Sequence, residues 1–223
     1  MTYRPIDLID RFALEILISA RLPPGAMRLD HRQWAGLLLF VGIAEFAIGL
    51  TVAEAVYPGY SVSQRYISDL GIGVASPIFN GAIIVLGLAV FFSARFLFLA
   101  SEDLILWILV ALAGIGAIGV GIFTEDWGIV HSIFSLITFV FAALSAIWAY
   151  RIIRPPLRYL SVVFGVFSLA ALGLYVTKTY LDLGPGGMER MIVWPVLVWG
   201  LGFGGYLLSA PAESGTSTPD TTT

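Results

Sequence analysis

Six runs of about 20 predominantly apolar residues dominate the chain, at 34–56, 78–99, 104–123, 128–150, 157–181 and 190–208. A helix rises ~1.5 Å per residue, so each run reaches across a hydrocarbon layer of ~30 Å. Only helices and closed barrels satisfy their own backbone hydrogen bonds in lipid, and runs this long select helices. Composition agrees, since 58% of the 223 residues are hydrophobic and 12% are charged. That is about half the charged share of a soluble domain. The expected fold class is an all-α polytopic membrane protein, a six-transmembrane-helix bundle. Short connectors after the second and fourth runs make it an up-and-down bundle.

Three segments follow. Residues 1–33 form an N-terminal interfacial segment, with an amphipathic helix over 5–20. Ile6, Ile9, Ala13 and Leu17 take one side, and Asp7, Asp10, Arg11 and Glu15 the other. Four charges make it a poor span, and they interrupt the apolar stretch a signal peptide would need. The transmembrane domain is 34–208. The Ser/Thr/Pro-rich tail, 209–223, is expected to be disordered.

Small residues recur every four positions at Ala113, Ala117 and Gly121 and at Gly200 and Gly204. Such spacing lets helices approach closely in lipid, and contacts inside the bundle are expected. Trp194, Trp199, Tyr57 and Tyr206 are read as aromatic belting at the interfaces.

Basic residues orient the bundle. Nine of the twelve Lys and Arg fall on the side of the N-terminus and three on the other. The positive-inside rule then places both termini in the cytoplasm of a multi-pass cell-membrane protein. The loops at 57–77, 123–128 and 182–190 face outward. A net charge of −3 without a basic cluster excludes a nucleic-acid partner. The absence of Cys removes disulfide and thiol chemistry. One outward-side His does not build a multi-His zinc centre, and no phosphate loop, HExxH or GxSxG is present. No metal or cofactor is expected. Membrane lipids are the expected partners, with a second copy or a membrane-complex subunit as the alternative.

The polar residues gather unevenly. The stretch from Tyr60 to Gly71 is a polar island between two apolar runs, holding Ser61, Arg65, Ser68 and Asp69. With Asp126, His131, Glu189 and Arg190 these form the candidate ligand-binding set. His131 sits one turn inside its span, with Ser135 and Thr138 on the same helical face. It is the candidate catalytic base, with Asp126 or Asp69 as partner. The structural alternative is that Asp126 caps the helix and His131 bonds a neighbouring carbonyl. Arg65 and Asp69 pair at i,i+4 if that segment is helical. Glu189 suits the first turn of the sixth helix, whereas Arg190 does not and wants Asp69, Asp126, Asp182 or a ligand anion. Glu45 lies near the middle of the first span, where a charge is costly.

Three patches in order resemble a known family. They are Tyr57-Pro58-Gly59-Tyr60-Ser61 leading to Ile67-Ser68-Asp69-Leu70-Gly71; Asp126 with His131-Ser132; and Gly187-Met188-Glu189-Arg190 with Trp194-Pro195 and Trp199. Together they resemble the domain-of-unknown-function 998 family of prokaryotic membrane proteins, over roughly 34–208. The resemblance implies a six-helix membrane bundle and supplies no mechanism.

Four functions are compatible with these residues. The leading one is an outward-facing polar pocket for a lipid headgroup or small amphiphile, held by Arg190, Arg65 and hydroxyls above His131 and Asp126. The second is a membrane-embedded hydrolase or transferase using His131. The third is a small transporter with Glu45 as its midplane ion site. The fourth is a scaffold whose polar residues tie helix ends together.

Overall fold

The computed structural model describes residues 29–209. The expected helix over 5–20 and the tail beyond residue 209 lie outside the described residues. Six helices follow in order: α1 (His31–Val56), α2 (Ser76–Ser101), α3 (Leu104–Ile122), α4 (Ile129–Trp148), α5 (Leu157–Val176) and α6 (Gly184–Leu208). All six are long and apolar enough to cross a membrane. Local signals explain several starts. Asp30 caps α1 through Gln33 N, and the Gln33 side chain returns the bond to Asp30 N, closing a capping box. Asp103 caps α3 by accepting from Leu106 N. Pro sits in the first turn of α2 and of α6, where its missing N–H costs nothing.

Two boundaries differ from the expectation. The fifth helix ends at Val176 instead of 181, because Lys178, Leu181 and Asp182 have positive φ and turn the chain. The sixth begins at Gly184 instead of 190, so Glu189 and Arg190 lie in its second turn. The first-turn dipole argument for those two residues therefore does not apply.

Each helix packs on its chain neighbours, and α6 packs back on α1. The bundle is thus a closed ring. Close approach at the seam depends on glycine. A Cβ on Gly36 would lie 2.6 Å from Gly204 O, and one on Gly204 would lie 2.9 Å from Gly36 O. Gly121 faces Ile83 and Ile84 of α2, and Gly200 faces Ile43 of α1. The small residues serve contacts inside the bundle. Trp199 is not a belt residue: it is 7% exposed and stacks on Phe203 with ring centroids 5.1 Å apart.

One end of the ring carries the 57–75 loop, the turn at Glu125–Trp127 and the 177–183 connector; it is called the loop end below.

Candidate functional site

The 57–75 segment forms turns and then two short 3-10 turns, Ser68–Gly71 and Gly73–Ala75. Such a segment has few backbone bonds of its own, so side chains must hold it. Arg190, 5% exposed, does most of this. Its Nη1 donates to Val62 O (3.0 Å), Gly186 O (3.0 Å) and Arg65 O (3.4 Å). Its Nη2 donates to Glu54 Oε1 (2.5 Å) and to the Tyr60 hydroxyl (2.7 Å). Tyr60 passes the chain on by donating to Tyr66 O. Both terminal nitrogens of Arg190 are therefore occupied by protein acceptors. The guanidinium is a clasp joining α6, α1 and the loop, and Glu54, absent from the partners expected for it, is its counter-ion. Burial pushes the Tyr60 hydroxyl pKa up, against the opposing pull of Arg190.

The start of α6 docks on the same loop. Gly186 N donates to Ser63 O at 3.0 Å. A Cβ on Gly186 would lie 1.9 Å from Arg65 O, and one on Gly184 (φ +75°) would lie 2.2 Å from Ser63 O. The Gly-Pro-Gly-Gly stretch, which reads as a breaker, is a Cβ-free docking surface at 184 and 186.

Glu189, 5% exposed, makes the second anchor: its Oε2 accepts from Ile67 N at 2.5 Å. Asp69 accepts from Tyr66 N at 3.2 Å. Arg65 Nη1 is 3.9 Å from Asp69, with its side chain 49% exposed, so that pair contributes little. The chain between them is not helical, so the pair is a loop contact and not the helical one expected. Asp69 also hydrogen-bonds Glu125, bridging the loop to the 125–127 turn. Tyr66, Tyr175 and Tyr180 follow one another, the first pair edge to face and the second tilted, with centroids 5.8 and 6.4 Å apart. Burial and the hydrogen bond with Tyr180 push the Tyr66 pKa up to about 12.

The remaining candidates are placed differently. His131 is 7% exposed and its Nδ1 lies 2.7 Å from Phe123 O. A carbonyl only accepts, so Nδ1 carries the hydrogen. No carboxylate among the described residues hydrogen-bonds His131. Asp126 does not cap α4; Gly128 holds the cap position, and no side chain serves there. Asp126 lies exposed in the 125–127 turn. Ser61 is in contact with Ser63 and is not buried. Glu45 lies in α1 near Gly49, and its buried Oε2 has no hydrogen-bond partner among the described residues.

Beneath the loop the ring encloses a cavity of about 130 Å³. Ile67, Ser68 and Glu189 line one end, and Leu39, Trp199 and Phe203 the other. Every helix except α5 contributes to its wall. From Glu189 to Phe203 it follows ~21 Å of α6. Its volume is close to that of an engineered apolar cavity of ~150 Å³ that stays dry and binds benzene. Thr138 and Ser145 line it, but their hydroxyls donate back to Phe134 O and Phe141 O. The space is thus apolar along most of its length. Ser135 is on its wall, and toward the far end lies the buried Nε1 of Trp199, without a hydrogen-bond partner among the described residues. Its one ionisable lining group, Glu189, is at the loop end. The sequence shows no direct sign of it, although Ala113 and Ala117, read as packing residues, lie on its wall.

A protein-family profile described as "Protein of unknown function (DUF998)" matches residues 28–205. The chain belongs to this family. Nothing among the curated proteins or the solved structures matches it. The first and third of the patches that suggested DUF998 meet at the loop end, through Ile67 with Glu189.

In this DUF998 chain Glu125 titrates near neutrality. Burial, then the Asp69 carboxyl, push its pKa from 4.5 up to about 7. The folded state therefore holds the proton more tightly than the unfolded state. Stability should fall as pH rises from about 4.5 to about 7 and level off above. Partial exposure limits the change to ~1 kcal/mol. Thermal unfolding across that window should show the slope, and Glu125→Gln should flatten it. An unchanged slope in the variant would assign the titration elsewhere.

Proposed function

We propose that the protein binds a small amphiphile drawn from the bilayer, its polar end under the 57–75 loop and its chain in the cavity. The observation that supports this is the cavity itself, apolar along most of ~21 Å of helix and bounded at the loop end by Ser68 and Glu189. That length exceeds the ~15 Å of one leaflet, while the volume of about 130 Å³, the size that takes benzene, requires wall side chains to give way for a full chain. Arg190 and Tyr60 act in this reading by holding the loop. The loop end faces outward and both termini are cytoplasmic. Since the chain has no Cys, a single Cys at Ser63 should react with a membrane-impermeant maleimide in intact cells, and one at Arg154 should not. The reverse pattern would invert the orientation.

Native mass spectrometry in mild detergent tests the binding. A defined amphiphile should remain on the wild-type protein and be reduced ~10-fold or more in Ala142→Leu, which fills the cavity at one of its wall residues. Wild-type protein free of adducts, or equal retention by the variant, would remove the reading.

A second reading, acid–base chemistry on the bound amphiphile, is favoured by the hydrogen-bonded carboxyl pair Asp69–Glu125. Two carboxyls in contact favour one protonated and one ionised, an acid and a base side by side. Asp69→Asn would then abolish turnover of the retained lipid; unchanged product levels would discard it.

A further inference from the structure

The polar end of the cavity carries one carboxyl. Glu189 lines it, is 5% exposed, and gives only one oxygen to the protein: Oε2 takes Ile67 N–H, while Oε1 receives no hydrogen bond from the described residues. Asp69 and Glu125 lie within electrostatic reach of it. The neighbouring cations do not supply a direct partner. Arg190 is bound to Glu54, Tyr60 and three carbonyls. Arg65 is half exposed, against Asp69 and the Tyr57 ring. A carboxylate oxygen on a buried side chain, left without a protein donor at the end of an apolar cavity, is the chemistry that recognises an ammonium group.

We propose that the polar end of the amphiphile is an ammonium, paired with Glu189 Oε1 at the loop end of the cavity. This rests on the chain-binding reading above and names the headgroup class for it. It also reverses the expectation, drawn from Arg190 and Arg65, that the headgroup is an anion.

The test uses the full chain in a nonionic detergent and three probes with one tail: dodecylamine, dodecanol and dodecanoate. Affinities are read by titration calorimetry at constant ionic strength. The wild-type protein should bind the amine ~10-fold or more tighter than the alcohol, and the carboxylate most weakly. Glu189→Gln, which keeps an acceptor for Ile67 N–H, should collapse the amine preference. Equal affinities for the three probes, or a preference that survives Glu189→Gln, would overturn the headgroup assignment and leave chain binding intact. No binding of any probe would overturn chain binding and, with it, this inference. Should Glu189→Gln fail to fold, the order of the three heads on the wild-type protein decides.

Discussion

Gly186→Ala should be among the most damaging single-methyl additions in the protein. The new Cβ would lie 1.9 Å from Arg65 O and 2.7 Å from Val62 O, both backbone atoms. Neither can rotate away, so the loop must lift from α6. That costs the Gly186 N to Ser63 O bond and misplaces the carbonyls that Arg190 uses. Overpacking of this kind costs ~3 kcal/mol, which for a chain of this size is roughly 10 °C in thermal midpoint. Gly173→Ala is the control. It adds the same methyl inside α5, where nothing lies within 4 Å. It should be neutral or slightly stabilising, since alanine is the better helix former. Equal midpoints for the two variants would contradict the docking of α6 on the loop.

Arg190→Ala should be as severe by a different route. It removes the partner of Glu54 and leaves the Val62 carbonyl and the Tyr60 hydroxyl without their donor. Breaking one side of a fully buried pair costs ~3–5 kcal/mol; the Glu54 side chain is 24% exposed, so the lower end of that range is expected. Arg190→Lys should recover only part of this. One ammonium keeps the charge but does not span acceptors arranged around two nitrogens of a planar fork. Double substitution with Glu54→Gln should cost less than the sum of the single changes, since the two share one interaction. Protease cleavage within 57–75 should rise in step with the loss of stability. A wild-type midpoint for Arg190→Ala would show that the clasp is not what holds the loop.

The spans were legible because ~20 apolar residues in lipid admit one local solution. Their ends were legible only where a side chain caps them, as Asp30 and Asp103 do. The start of α6 was not, because Gly184 and Gly186 read as chain breakers until their neighbours are known. Their lack of a Cβ answers the Ser63 and Arg65 carbonyls, which lie more than 100 residues away in sequence. Arg190 was correctly read as needing a partner. The partners expected for it did not include Glu54, and three of its acceptors are backbone carbonyls, which every residue has and no sequence pattern marks. His131 met the simpler of its two expectations, a bond to a neighbouring carbonyl. Trp199 was misread as belting because a tryptophan late in an apolar run looks alike on either face. The cavity was illegible for a related reason: it is the space five helices leave between them, and no single helix encodes it.

The most direct test of chain binding uses Trp199, which lines that space and is shielded from bulk lipid. The chain has six Trp. A variant keeping Trp199, with the others changed to Phe, would be titrated with an amphiphile brominated along its tail. Chain entry predicts saturable quenching of Trp199 at one amphiphile per protein, suppressed by Ala142→Leu. Quenching that grows linearly with the bulk bromine concentration, or none at all, would contradict it.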